Sequence, residues 1–127
     1  MIEYHLTPRF KDTDALGHIN NAAYSTWFEE ARRPIFEIFV PDLDTKKWNL
    51  IIARAEIDFL AQGNYQKEVL IETSMEKIGN SSFVLLQTAI QDQKPICKAK
   101  SFLVHFDYAI QKPQSIPDDI RVKLQNI

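Results

Sequence analysis

Between Ala22 and Val40 the apolar residues Tyr24, Phe28, Ala31, Ile35 and then Ile38 or Phe39 recur at helical spacing, whereas after Trp48 the alternation drops to period two. That change of period constrains the fold more than any other feature of the chain. The first run, with Ser25, Thr26, Glu29, Glu30, Arg32, Arg33 and Glu37 between its apolar positions, predicts one amphipathic helix of about five turns. Asn20 or Asn21 can cap its start, because a short amide side chain accepts from an unpaired N–H of the first turn. Pro41-Asp42 stops it. Pro34 lies inside the run, where it cannot donate to the Glu30 carbonyl, and predicts a kink or an interruption.

The period-two part predicts four strands: Ile51 to Leu60, Val69 to Glu76 after the turn Ala61-Gln62-Gly63-Asn64, Phe83 to Gln91 after Gly79-Asn80, and Ile96 to Tyr108. The last two join at Asp92-Gln93-Lys94-Pro95 and pair most simply as a hairpin, with Phe102, Val104, Phe106 and Tyr108 sharing a face. A short strand around Ile2 to Phe10 and a weak helix from Pro117 to Gln125 complete the order. The class is α+β with a mainly antiparallel five-stranded sheet. A helix with one apolar stripe must lay it on the sheet, so the sheet wraps the helix. Its edges and its second apolar face then need cover, which points to a homodimer or a larger homo-oligomer such as a tetramer.

At 127 residues and 45% hydrophobic the chain fits one domain over residues 1–127. The six prolines punctuate it without forming a linker. A net charge of −2 with scattered arginines argues against a nucleic-acid partner. The single Cys97 can form no intrachain disulfide, and Met1 to His5 lack the basic and apolar regions of a secretory signal, so a reducing, cytoplasmic setting is expected. No apolar run approaches the roughly 18 residues of a membrane span.

Chemistry concentrates in Asp12-Thr13-Asp14-Ala15-Leu16-Gly17-His18-Ile19-Asn20-Asn21. Read alone, these are also ordinary turn and cap residues. An aspartate is ionised at neutral pH and can act as base or nucleophile without prior proton loss. Asp14 lies just before the helix start, where free N–H groups and the positive end of the helix dipole favour an oxyanion. Gly17 permits a tight loop or a close backbone approach between the two. Asp12, Asp14 and His18 do not have the spacing of a calcium loop or a zinc site, so neither a metal nor a cofactor is expected.

This stretch, followed by Tyr24 and Phe28-Glu29-Glu30-Ala31-Arg32, resembles the Asp-x-x-Gly-His-Val-Asn-Asn segment and helix of the hotdog-fold 4-hydroxybenzoyl-CoA thioesterase-like family. Glu56-Ile57-Asp58-Phe59-Leu60 is similar to the family's next strand, and Ile78-Gly79-Asn80-Ser81-Ser82-Phe83 to its glycine-serine step. The likeness covers nearly the whole chain. It implies a hotdog fold and hydrolysis of an acyl-CoA thioester. The family's catalytic aspartate falls on Asp14 and its oxyanion N–H on Asn21, seven residues later. His18 would orient water or the thioester, with Gly17 and Asn20 on the substrate side. Plant acyl-carrier-protein thioesterases resemble the same segment but carry Asn-x-His where this chain has Leu16, Gly17 and His18, so the pattern supports an aspartate and helix-start centre over an Asp-Asn-His set. Other branches put the acid on the central helix, a role open to Glu29 or Glu30 that Asp14 makes unnecessary.

The remaining polar residues have plainer readings. Glu29, Glu30, Arg32 and Arg33 are expected on a solvated face or in subunit ion pairs, Tyr24, Trp27 and Phe28 in the core, His5 and His105 as surface or strand residues, and Cys97 as a buried, inert thiol. The rival functions are a non-catalytic hotdog module that binds an acyl ligand or scaffolds an assembly, and a hotdog hydratase or dehydratase, whose Asp/His or His/Glu arrangement is not found here.

Overall fold

In the computed structural model, which describes residues 1–127, the chain runs as β1 (Ile2–Leu6), α1 (Asn21–Ala31), α2 (Arg33–Phe39), β2 (Leu50–Phe59), β3 (Val69–Ile78), β4 (Ser82–Gln91), β5 (Lys94–Asp107), the two-residue β6 (Lys112–Pro113) and α3 (Asp118–Gln125). All strands pair antiparallel in the order β1-β3-β4-β5-β2, with β6 off the path against β5. Five long strands and a helical layer are the α+β arrangement read from the sequence. The β4–β5 hairpin turns at Asp92 and Gln93, whose φ values of 51° and 61° are the left-handed pair that matches the twist of the flanking strands. Pro95, which has no N–H to give, sits where the pairing shifts register between Ala89 and Ile90.

The first strand, expected around Ile2 to Phe10, ends at Leu6. Pro8 offers no N–H to a ladder, and the next residues make a 3-10 turn, Phe10–Asp12, whose Asp12 carboxylate accepts the Arg9 N–H at 2.8 Å. Of the kink or interruption expected at Pro34, the structure has the interruption, and the helical run is two helices. The Arg32 N–H donates to the Glu29 carbonyl at 3.1 Å and not to Phe28, and α2 restarts with Pro34 in its first turn, where the missing N–H would be unpaired in any case.

The helix break divides the core. Around α1 lie Ile19, Tyr24, Trp27, Phe28 and Ala31 against Val69, Ile71, Ala89 and Cys97; around α2 lie Ile35 and Phe39 against Leu50, Phe83, Leu85, Leu103 and, from α3, Leu124. Between the two clusters runs a polar seam of Thr73, Gln87 and Ser101, all 2% exposed or less. Arg32, expected on a solvated face, is buried in that seam. His105 is also buried, its Nδ1 3.1 Å from the Ser115 carbonyl.

β2 is the exception to this burial. It occupies one end of the strand order, its outer edge is unpaired, and Ile51, Ile52 and Phe59 are 38%, 46% and 50% exposed. A ten-residue unpaired edge with large apolar side chains in water is unusual in an isolated subunit. No helix of the chain is long and apolar enough to cross a membrane.

Candidate active site

The Asp12 to Asn21 stretch folds as a small hairpin that delivers Asp14 beside the start of α1. Thr13 and Ile19 bridge antiparallel, the Asp14 N–H donates to the His18 carbonyl at 2.8 Å, and the Gly17 N–H returns to the Asp14 carbonyl at 3.3 Å. Gly17 closes the turn at φ 79°, a conformation that strains residues with a Cβ. The hairpin is anchored at both sides: the Asn20 N–H donates to the Asp12 carbonyl at 2.7 Å and the Ile19 N–H to the Gly63 carbonyl at 3.2 Å.

Within this frame the exposed Asp14 carboxylate is held by one oxygen. Oδ1 accepts the N–H groups of Leu16 at 2.8 Å and His18 at 3.1 Å, which leaves Oδ2 without a partner in the chain. His18 contacts Asp14 through its backbone; its imidazole makes no hydrogen bond to the carboxylate. Asn20 caps α1, its side chain accepting the Ala22 N–H at 2.9 Å. Asn21 is the first helical residue and its N–H finds no acceptor in the chain, so the helix start presents a free donor together with the positive end of the dipole.

Asp14, His18 and Asn21 line one cavity of about 280 Å³, closed by Tyr24, Phe59 and Gly63. Gly17 and Asn20 stand behind it, as turn and cap. Sequence reasoning missed three features of this cavity. Gly63 is required because a Cβ there would lie 2.7 Å from both Ile19 Cγ1 and the Tyr24 hydroxyl; its signal was a turn glycine in a chain with only three. Gln91 fixes the loop that carries Gly63: its Oε1 accepts the Asn64 N–H at 2.7 Å and its Nε2 donates to the Asn64 and Lys67 carbonyls. Tyr24, expected in the core and buried there, also turns its unpartnered hydroxyl toward the cavity side. Burial, followed by the nearby Cys97 thiol, pushes its phenol up to about 12. Burial likewise raises Cys97 to about 12, as befits an inert thiol.

A second, larger cavity of about 600 Å³ opens where α1 meets α2, between Arg32, Phe36, Trp48, Leu50 and Leu103. It contains no residue of the Asp12 to Asn21 stretch. Glu29 and Glu30 reach its rim, both exposed, Glu30 pairing with Arg33 at 3.8 Å. The smaller cavity is the candidate active site because it combines a free carboxylate oxygen with a helix start. No group of three or more His, Cys, Asp or Glu side chains gathers where a metal ion would be held.

The sequence model of the thioesterase-like superfamily matches residues 8–124. Among solved structures, a predicted thioesterase from Bacillus stearothermophilus is 40% identical with a TM-score of 0.96, covering 98% of this chain and 94% of its own. A thioesterase from Thermus thermophilus, complexed with coenzyme A and Zn, is 27% identical with a TM-score of 0.87, covering 98% of this chain and 97% of its own. The uncharacterized protein YsmA of Bacillus subtilis (strain 168) is 31% identical over 77 residues, which are 61% of this chain and 52% of YsmA. The match thus spans about half the length of that curated relative.

Proposed function

We propose a function from one premise: the chain belongs to the thioesterase-like superfamily, whose hotdog fold it adopts. It hydrolyses an acyl-CoA thioester to a free acid and coenzyme A. The observation that carries this reading is the meeting of the Asp14 carboxylate and the α1 start, at Asn21, on one cavity. The coenzyme A bound to the Thermus relative supports a CoA thioester as the substrate class.

In this reading the thioester carbonyl oxygen lies against the Asn21 N–H, where developing negative charge meets a fixed donor and the helix dipole. Asp14 Oδ1 stays tied to its two N–H groups while Oδ2 works. As a base it takes a proton from water, the hydroxide adds to the carbonyl carbon, and collapse of the tetrahedral adduct expels the CoA thiolate, which is then protonated. As a nucleophile it adds directly, expels the thiolate and leaves an acyl-aspartyl anhydride for water to cleave. Single-turnover hydrolysis in ¹⁸O-water separates the two, since only the anhydride route can leave label in Asp14. His18 borders the cavity and orients water or substrate. Gly17 and Asn20 hold the substrate-facing backbone in place.

Two copies joined along the free β2 edge would cover Ile51, Ile52 and Phe59, which supports a homodimer as the smallest working unit. The buried, unpaired Cys97 fits a reducing, cytoplasmic setting. The test is free-thiol release from a panel of acyl-CoAs. Turnover that disappears in Asp14→Ala, with the fold intact by circular dichroism, is expected. An unchanged rate in that variant sinks the mechanism, and absence of turnover across the panel with retained acyl-CoA binding turns the reading toward a non-catalytic binding module.

A further inference from the structure

Arg32 is the one buried cation of the chain, 6% exposed. Its Nη1 donates to Gln87 Oε1 and to Ser101 Oγ, both at 3.2 Å. Its Nε is buried with no acceptor, Nη2 makes no hydrogen bond, and no ion pair of the chain includes it. The helix break does not need this charge. The Phe28 carbonyl that the break leaves open is satisfied by the neutral Gln87, whose Nε2 donates to it at 3.0 Å and to Thr73 Oγ1 at 3.1 Å. The one carboxylate whose charge acts on it is that of the exposed Glu29, with which it makes no ion pair; a desolvated guanidinium so weakly compensated is costly, and arginine does not escape the cost by losing its proton.

Arg32 lines the 600 Å³ cavity, whose other walls are mostly apolar, among them Phe36, Trp48, Leu50 and Leu103, with Glu29, Glu30 and Arg33 as its remaining charged residues. An apolar chamber with one buried, half-satisfied guanidinium matches a ligand with an apolar body and a carboxylate at its tip, since Nη2, which no acceptor in the chain takes, can donate to a carboxylate oxygen. The cavity borders the Leu50 end of β2, and the Asp14 cavity borders the Phe59 end. Antiparallel pairing of two free β2 edges would bring the first cavity of one copy beside the second cavity of its partner.

We propose that this chamber receives the far end of the acyl group and that Arg32 selects acyl groups ending in a carboxylate. The proposal rests on the thioesterase reading above. Its test compares the CoA monothioesters of succinic, adipic, suberic and sebacic acids with butyryl-, hexanoyl-, octanoyl- and decanoyl-CoA by free-thiol release. The wild type is expected to favour a dicarboxylic member over its length-matched neutral partner by about tenfold or more in kcat/KM. That ratio should fall by at least about tenfold in Arg32→Met and partly return in Arg32→Lys, which keeps the charge without the fork. A wild type that prefers the neutral member at every length overturns the proposal even if the variants fail to fold; so does a ratio that survives Arg32→Met. If no thioester is cleaved, the thioesterase reading fails, and calorimetry with free adipic and suberic acids decides the arginine site by itself. Saturable binding weakened about tenfold by Arg32→Met upholds it, and no binding to the wild type ends it.

Discussion

The Asp14 hairpin and the Arg32 seam are both clusters of polar groups touching the central helix, and they are built in opposite ways. Asp14 is held by N–H groups two and four residues along the chain, on an exposed loop. Arg32 and Gln87 are held by partners 55, 59 and 69 residues away, with nearly no access to water. An exposed carboxylate can leave one oxygen free at small cost, because water serves it. A buried group has no such reserve, so each missing partner in the seam costs stability directly. The hairpin is therefore suited to chemistry that tolerates substitution, and the seam couples helix and sheet so that few substitutions are neutral.

The sharpest way to break that contrast is Asp14→Asn. The amide oxygen can still accept from Leu16 and His18, so the hairpin should persist, with unfolding free energy in urea changed by less than about 0.5 kcal/mol. Turnover should fall by about 10²–10⁴-fold, the range for a positioned acid–base group. A large stability loss with the rate preserved would reverse the assignment of roles. Gln87→Leu probes the other side. It leaves the Phe28 carbonyl unpaired in the core and removes an acceptor from Arg32, so a loss of about 3 kcal/mol is expected by urea denaturation. A cost below about 0.5 kcal/mol would mean that the seam does not hold helix to sheet.

The same contrast explains what could be read from sequence. The hairpin's parts lie within ten consecutive residues, each with a local rule: aspartate for charge, glycine for a positive φ, asparagine for a cap. Its geometry followed from those rules. The break at Pro34 was legible for the same reason, although proline chemistry alone allows a kink as well as two separate helices. In Arg32 charge and position point opposite ways, and its charge alone suggests a solvated face. It lies four residues after Phe28 and three before Ile35, squarely on the buried stripe, and periodicity alone would have put it inside. Gln87, Thr73 and Ser101 were out of reach. Alternation gives two rows per strand but does not say which row faces the helix, and in β5 the aromatic row of Phe102 and Phe106 is only partly buried while Ser101 and His105 face inward. Gly63 and Gln91 depend on a contact between two loops that no local rule supplies.

Tyr24 belongs to both regions, a core residue that also lines the Asp14 cavity. With its folded value near 12 and its ordinary value at 10.0, the unfolded chain gives up this proton first as pH rises. Protons are then held more tightly by the folded state, so stability should fall as pH climbs from about 10 toward 12 and be fully present below that window. Cys97, raised from 9.0 to about 12, adds a loss of the same sign that begins near pH 9. The tyrosine share is at most roughly 3 kcal/mol by linkage. Tyr24→Phe should remove that share from the alkaline limb of a urea-denaturation series, and an identical limb in the variant would show that the phenol is already solvated.

The smallest effect expected is also the one that asks whether the two regions are independent. Asn20 caps α1 through the Ala22 N–H, and α1 is the element that the hairpin and the seam share. Asn20→Ala should cost about 1 kcal/mol of stability by freeing that donor. If the helix start acts only as a scaffold, kcat/KM should follow the folded fraction and nothing more. If the Asn21 N–H binds the developing oxyanion, fraying of the first turn misplaces that donor, and kcat should fall further than stability accounts for while KM moves little. Asn20→Asp separates these outcomes, because a carboxylate caps equally well but puts negative charge beside the oxyanion: stability should be restored and kcat should stay depressed. Recovery of both together would assign the helix start to support alone.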